Sequence, residues 1–386
     1  MKSVALITEY NPFHNGHLYH AQQSKSTTGS EVTVAIMSGS FVMRGQPAIY
    51  NKFKRTRMAL SAVDLVIELP IFASLSAGQY FAELAVKVAD YLNIDHLSFG
   101  SESGNIDAFL TLAEDISNTE QSLQFAKKTK EGKSYPRILS ELITNNELLS
   151  SPNNTLGISY IRAIQKWAPT IQPWTISRLQ SAHHEEEIAN LSFASGTSIR
   201  KSLQNANTQW KQVVPESVHP YYTIPNVSVS DTFHYLKYAI LSQDTDSLNQ
   251  IHTMSEGFEN RIIQFIDQAK DFEHFMALLK TKRFTYTHIQ RLLMNILLNF
   301  KQQQKPEAIH AVRVLGMTQK GQQYLKQLKL LFLNAISLLS SISKMHIFSN
   351  MKYMEQKFIT LFQVKLPMTS IHLLYVFKAD LYNTNS

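Results

Sequence analysis

Two histidines three residues apart, His14 and His17 in the run EYNPFHNGHLYH, carry the clearest chemistry in this sequence. An unbroken apolar run at residues 3–7 precedes them, polar and turn-forming residues occupy 8–15, and a helix is expected from His17 to Ser24. A buried strand that turns into a helix is how an α/β sheet presents a phosphate site. Gly16 lets the helix backbone approach a ligand with no Cβ in the way, and the helix start offers unpaired N–H groups to an anion. Imidazoles on either side of that start can reach one phosphate chain and donate to a pentavalent α-phosphorus and its leaving pyrophosphate. The plainer alternative is a polar turn closed by a helix cap. Much later, in FASGTSIRKSL, Ser195 or Thr197 can cap a second helix whose first turn carries Arg200.

Those side chains need a scaffold, and the first part of the chain supplies one. Apolar runs at 31–37 (EVTVAIM), 64–70 (DLVIELP) and 96–100 (HLSFG) read as buried strands. A basic helix in NKFKRTRMALSA and a longer one over 76–92 separate them. Short βα connections of this kind predict a doubly wound, parallel, Rossmann-like α/β sheet. Ligands of such sheets bind beyond the carboxyl ends of the strands, where HNGH, SGSFVMRGQ and FGSESG fall. Residues 105–150 read as a helical insertion or lid, a helix follows from about Leu156, and TIQPWTISR (170–178) reads as a fifth strand, with Pro173 pointing to an edge or a bulge. HHEEE at 183–187 reads as a solvated charged loop sooner than a metal cluster. From about Leu203 helix-period spacing takes over, with few strand-like runs. The expected division is therefore 1–202, a nucleotide-binding catalytic domain, and 203–386, a basic α-helical domain. GMTQKGQQYLKQLK at 316–329 places Gly, Lys and Gln at a helix entry, either as a phosphate-backbone contact or as a capped turn. GxxxxGK[ST] is absent, which excludes a P-loop.

The chain of 386 residues has no cysteine, which excludes disulfides, a thiolate nucleophile and Cys-ligated metal sites. VALI is too short for a secretion signal, and LLFLNAISLLSSIS at 330–343 is too short to span a bilayer and reads as a buried helix. A cytoplasmic protein is expected, without membrane association and without an obligate protein partner. Lys and Arg number 20 against 22 Asp and Glu in residues 1–250, and 17 against 8 in 251–386. The excess at the back suits contact with a polyanion.

HNGH together with SGTSIR resembles the HxGH nucleotidyltransferases, in which a late S-x-T-x-x-R loop holds the β- and γ-phosphates from the side opposite the histidines. The likeness is closer still. EYNPFHNGHLYH, MSGSFVMRGQPA, NKFKRTRMAL, DLVIELP, FGSESG, PNNTLGISYI, SGTSIRKSL and RVLGMTQKG, in this order, resemble the bacterial tRNA(Met) cytidine acetate ligase family from Met1 to at least Lys329. The resemblance implies two steps: ATP and acetate give acetyl-adenylate and pyrophosphate, then the wobble cytidine of elongator tRNA(Met) takes the acetyl group as N4-acetylcytidine, releasing AMP. It implies an ATP cradle from Ile7 through Thr8, Glu9, Tyr10, Asn11, Pro12, Phe13, His14, Asn15, Gly16, His17, Leu18 and Tyr19 to His20. Gly100, Asn153 and Arg178 match its other nucleotide-contacting positions. The wider superfamily implies that Thr197 and Arg200 hold the outgoing pyrophosphate, and Mg²⁺ is expected with ATP. Lys52 and Arg55, on the basic helix, could orient acetate, meet anticodon phosphates or merely solvate the helix. Two positions depart from the family pattern: Gly196 replaces an Ala and Ser159 a Glu. The competing readings are a small-molecule nucleotidyltransferase acting on an anionic metabolite and a non-catalytic, nucleotide-dependent RNA-binding protein.

Overall fold

The computed structural model describes residues 1–131, 135–143, 147–178, 192–224, 227–255, 257–281, 283–304 and 306–343. HHEEE at 183–187 lies outside them. The chain divides into two compact units, residues 1–309 with 314–329, and residues 310–313 with 330–386. The elements around the site lie in the first.

Strands β1 (Ser3–Thr8) and β2 (Val32–Ser38) are buried along their length, save for the half-buried Ile7. Strands covered on both faces are written as continuous apolar runs. Helix α1 (Asn15–Thr28) joins them. A two-plus-two-residue hairpin, β3 (Phe41–Val42) and β4 (Gln46–Pro47), then interrupts what the sequence suggested was plain loop. Next come α2 (Lys52–Ala59), β5 (Leu65–Leu69), α3 (Ile71–Ser74), α4 (Gly78–Tyr91) and β6 (His96–Ser101). Helices α5 (Ile106–Glu120), α6 (Leu123–Lys130) and α7 (Tyr135–Leu142) fill the expected helical insertion. Helix α8 (Pro152–Trp167), with Pro at its first position, leads to β7 (Gln172–Ser177). Helix α9 (Gly196–Gln204) follows.

The sheet order is β7-β6-β1-β2-β5, extended by β8 (Arg313–Met317) beside β5. The pairs β1–β2, β1–β6, β2–β5 and β6–β7 are all parallel. Strand order therefore reverses between β1 and β6, and a switch point opens a crevice at the carboxyl ends there. Pro173 lies in an edge strand, where its missing N–H costs no ladder bond.

Beyond residue 203 come α10 (Phe233–Leu241), α11 (Thr245–Asn249), α12 (Phe258–Ile266), α13 (Phe272–Leu279) and α14 (Tyr286–Leu297). They close around an apolar core of their own that includes Leu236, Ile262, Phe272, Phe275 and Leu293. Buried Asn295 stitches this bundle to the sheet side, donating to the carbonyls of Leu75 and His252, each at 3.2 Å. Strand β8 was not legible, because RVLGM is short and only half buried. The following GMTQKG segment resolves as a docked turn. Thr318 N–H donates to Asp64 O at 2.8 Å, and a Cβ at Gly321 would meet that same oxygen. It leads into α15 (Gln319–Ser343), the helix that carries the LLFLNAISLLSSIS stretch. Leu330 and Leu331 at its start are exposed, at odds with a wholly buried helix. Among the described residues no helix is long and apolar enough to cross a membrane.

Candidate active site

Helix α1 starts where it does because two histidines cap it reciprocally. His14, in extended backbone, accepts the Gly16 N–H on Nδ1 at 3.1 Å, and His17 Nδ1 accepts the His14 N–H at 3.3 Å. This is the geometry of a capping box built from imidazoles. In a neutral His17 ring an accepting Nδ1 leaves the proton on Nε2, the nitrogen that can donate elsewhere. The rings stack at 3.8 Å. Burial, and then the neighbouring His14, His20 and Arg178, hold the His17 imidazole well below its ordinary value, so it is neutral at physiological pH. His20, one turn on, is pushed down to about 4 by burial and by Arg178.

Gly16 answers a steric need in this cap. A Cβ there would stand 2.9 Å from His14 Cε1. Gly16→Ala is expected to keep the fold, since the His14 ring can swing away, and to lower the adenylation that the family resemblance implies by about tenfold or more by displacing the imidazole. Pyrophosphate exchange with a parallel circular-dichroism spectrum measures both.

The second half of the site comes from α9. Ser195 Oγ caps that helix by accepting the Ser198 N–H at 3.0 Å, leaving Thr197 in its first turn and Arg200 at the start of its second. Arg200 donates through Nη1 to Asn11 O at 2.7 Å and through Nη2 to Thr197 Oγ1 at 3.0 Å, tying α9 to the turn after β1. That turn is itself fixed: Tyr10 has φ 47°, and Asn11 Oδ1 accepts the Ile49 N–H at 2.9 Å. The two segments that the sequence keeps nearly two hundred residues apart thus border one cavity of about 390 Å³.

From Ile7 to His20 every residue lines this cavity except Phe13, Asn15 and Leu18, and these three serve the scaffold. Phe13 is buried, and its carbonyl accepts the Tyr222 hydroxyl. Asn15 Nδ2 donates to Ser192 O at 3.0 Å and Gln212 O at 3.4 Å, and Leu18 packs on the core beneath. Gly100, Asn153 and Arg178 line it as well, as do Thr197 and Arg200, and Arg178 lies near enough to His17 and His20 to lower the pKa of both. Asn153 Nδ2 donates to Glu102 Oε1 at 2.7 Å, and Glu102 in turn faces Arg178 electrostatically. Half-buried Glu9 lines the cavity too. Its carboxyl is pushed up by burial, against the Met43 N–H and the charges of Arg55, Arg200 and Arg44.

Lys52 and Arg55 are not on the wall. Lys52 Nζ pairs with Glu68 at 2.7 Å. Arg55 is fully buried and spends its guanidinium on the carbonyls of Glu9, Ser38, Gly39 and Tyr50. Its place is behind the site, joining the ends of β1 and β2. Arg55→Ala would orphan these carbonyls and open a cavity, so urea unfolding should show a loss of about 3 kcal/mol or more. A stability unchanged within error would contradict that assignment.

Arg44, Phe81, Phe99, Leu156, Tyr160 and Phe193 also line the cavity and were not singled out from the sequence. Phe81, Phe99 and Tyr160 come from helices and a strand, where they look like ordinary core, and Phe193 from the segment before α9. Arg44 did carry a signal, as the single arginine of the loop after the second strand. Ser159, which departs from the family pattern, lies away from this cavity and donates to Thr155 O.

A family model for HIGH nucleotidyl transferases matches residues 1–376. The chain is 72% identical over 329 residues to the tRNA(Met) cytidine acetate ligase of Staphylococcus saprophyticus, covering 85% of this chain and 87% of that one. It is 57% identical over 332 residues to the enzyme of that name from Staphylococcus aureus, covering 86% and 88%. Among solved structures, it is similar to Thermotoga maritima TmcAL bound with alpha-thio ATP, at 29% identity and a TM-score of 0.74 over 85% of this chain and 83% of that one. The apo form of TmcAL gives 28% identity and a TM-score of 0.78 over 98% and 92%. On this sequence identity, this fold and this pairing of HNGH with SGTSIR across one cavity, the chain belongs to the tRNA(Met) cytidine acetate ligase family of HIGH nucleotidyl transferases.

Proposed function

We propose that this protein is an ATP-dependent ligase that activates acetate as acetyl-adenylate and transfers the acetyl group to N4 of the wobble cytidine of elongator tRNA(Met). The observation that carries the reading is the juxtaposition of the His14–His17 cap with Thr197 and Arg200 around one cavity at the strand switch point. Acetate is already ionised at neutral pH and needs no base. What impedes it is the charge of the triphosphate. A carboxylate oxygen attacks the α-phosphorus, the bond to the bridging oxygen of pyrophosphate breaks, and the anhydride acetyl-adenylate remains. The Nε2–H of His17 and the N–H groups at the start of α1 stabilise charge that grows on the phosphoryl oxygens, while Arg200 and Thr197 hold the leaving pyrophosphate.

In the second step the cytidine amine attacks the acetyl carbon and AMP departs with the oxygen that acetate brought. The target base lies in an anticodon loop, so taking it out of its stack costs little. A Mg²⁺ ion carried on the triphosphate would supply further charge neutralisation there. Glu9 is the carboxylate on the described cavity wall, and one of its oxygens already accepts the Met43 N–H, so its other oxygen would be this wall's contribution to holding such an ion.

Residues 1–202, with their helical insertion, are assigned the adenylation step, and the basic helical part from 203 onward the tRNA. With tRNA as acceptor the reaction belongs in the cytoplasm. The test is transfer of radiolabelled acetate: protein, ATP, Mg²⁺ and total bacterial tRNA, with label counted in RNA and traced by nuclease digestion. ATP-dependent label in a cytidine is expected. Acetate-stimulated pyrophosphate release with no label in RNA would overturn the tRNA assignment.

A further inference from the structure

We propose that Arg44, at the tip of the β3–β4 hairpin, is a further anion-binding side chain of this site, gripping with Arg200 the β- and γ-phosphates of ATP and the pyrophosphate they become. The inference rests on the ATP reading of the cavity and extends it to a residue which that reading leaves out.

The hairpin is built to hold its tip still. On one side, the Met43 N–H donates to Glu9 Oε1 at 2.6 Å, which pins the tip to the end of β1. On the other, Arg291 Nη1 donates to Met43 O at 3.2 Å. Gly45 completes the grip. It has φ +79°, and a Cβ there would stand 2.5 Å from Arg291 N and 2.8 Å from Gln290 C, so the tip lies directly on the backbone of α14. Only glycine combines that backbone conformation with that approach. The backbone of Arg44 is thus fixed between β1 and the helical bundle, yet its side chain is exposed at the cavity. A flexible loop would need no such anchoring, whereas a guanidinium that must meet a ligand gains from a pre-set stem.

Charge selects the ligand. Arg44 and Arg200 border the same cavity, and on its described wall one carboxylate, Glu9, faces both. The Arg200 guanidinium is lowered to about 10 by burial and then by the like charge of Arg44, with Glu9 opposing. Two guanidinium groups that repel across a cavity are best reconciled by an anion of several charges. The pyrophosphate end of ATP is one, while acetate brings a single charge. Paired arginines also match phosphate oxygens in bidentate fashion.

The experiment compares wild type with Arg44→Ala and Gly45→Ala. It reads KM for ATP, acetate and tRNA, the inhibition constant of inorganic pyrophosphate, and the dissociation constant of AMP. In Arg44→Ala the ATP KM and the pyrophosphate constant should each rise about tenfold or more. AMP, which lacks the terminal phosphates, and acetate should be unaffected. Gly45→Ala, which keeps Arg44 but moves its stem, should show the same signature more weakly. A rise confined to the acetate KM, or confined to the tRNA KM, overturns the proposal, and so does an unchanged pyrophosphate constant. Wild-type protein that binds neither ATP nor pyrophosphate would instead refute the underlying function.

Discussion

His17→Ala should abolish acetyl-adenylate formation and leave tRNA binding near normal. The imidazole is half-buried, neutral and oriented by the His14 N–H on its Nδ1, so its Nε2–H acts as a fixed donor and not as a proton-transfer group. Removing one such preorganised donor costs about a hundred- to a thousandfold in turnover. Here the loss should reach the upper end, because the same change frees the His14 backbone N–H and loosens the stacked His14 ring. Acetate-dependent pyrophosphate exchange reads the first effect and a filter-binding titration with tRNA the second. Loss of tRNA binding in this variant would contradict the division between adenylation and RNA contact.

A pH dependence follows from the same geometry. The folded-state value of His17 is depressed, so the ring is neutral from neutrality down to well below pH 6.5, and exchange should not fall through the ordinary imidazole range on its account. The sign for stability is fixed as well. His17 and His20 bind protons more readily in the unfolded chain than in the fold, so stability is full above about pH 6.5 and is lost as pH falls. For His20 that loss runs from the unfolded value down to about 4. Urea midpoints taken between pH 7 and pH 4.5 should therefore decline, and His20→Asn should flatten the slope.

Arg200→Ala should have the second largest effect, and on a different parameter. Arg200 is held on Asn11 O and Thr197 Oγ1, aligned before any substrate arrives. Its role is on the leaving pyrophosphate, which exists as a separate species only after the transition state. Both kcat and ATP affinity should fall, with kcat/KM for ATP down about a hundredfold or more. Arg200→Lys should restore little, because a point charge cannot hold carbonyl, hydroxyl and phosphate at once. Loss of the Asn11 contact also frees the turn after β1, whereas Thr197→Val, which keeps the guanidinium and that contact, reads the share of the hydroxyl. A full effect in Arg200→Ala with none in Thr197→Val would assign the role to the guanidinium alone.

The parallel sheet was legible because its central strands are buried on both faces and so are written as apolar runs, EVTVAIM most plainly. The helix start at HNGH was legible because a cap, a glycine and an apolar strand lie adjacent in sequence. That Thr197 and Arg200 border the same cavity as those histidines was not contained in any spacing; it depends on α9 reaching the β1 turn through Asn11. Arg55 shows the opposite limit. Within NKFKRTRMAL it is indistinguishable from its solvated neighbours, and only the fold reveals that it alone is buried against backbone carbonyls. Strand β8 and the β3–β4 hairpin escaped because short, half-covered strands leave no pattern of period two. GMTQKG offered two readings from sequence, and its contact with Asp64 shows the docked turn.

The central claim is that a carboxylate oxygen attacks the α-phosphorus in this cavity. It is tested most directly by supplying acetate labelled with heavy oxygen in both positions, together with ATP and tRNA, and weighing the phosphorus products by mass spectrometry. Attack at the α-phosphorus predicts one heavy oxygen in the phosphate of AMP and none in pyrophosphate. Heavy oxygen in inorganic phosphate, with ADP as the nucleotide product, would mean attack at the γ-phosphorus and would contradict the account.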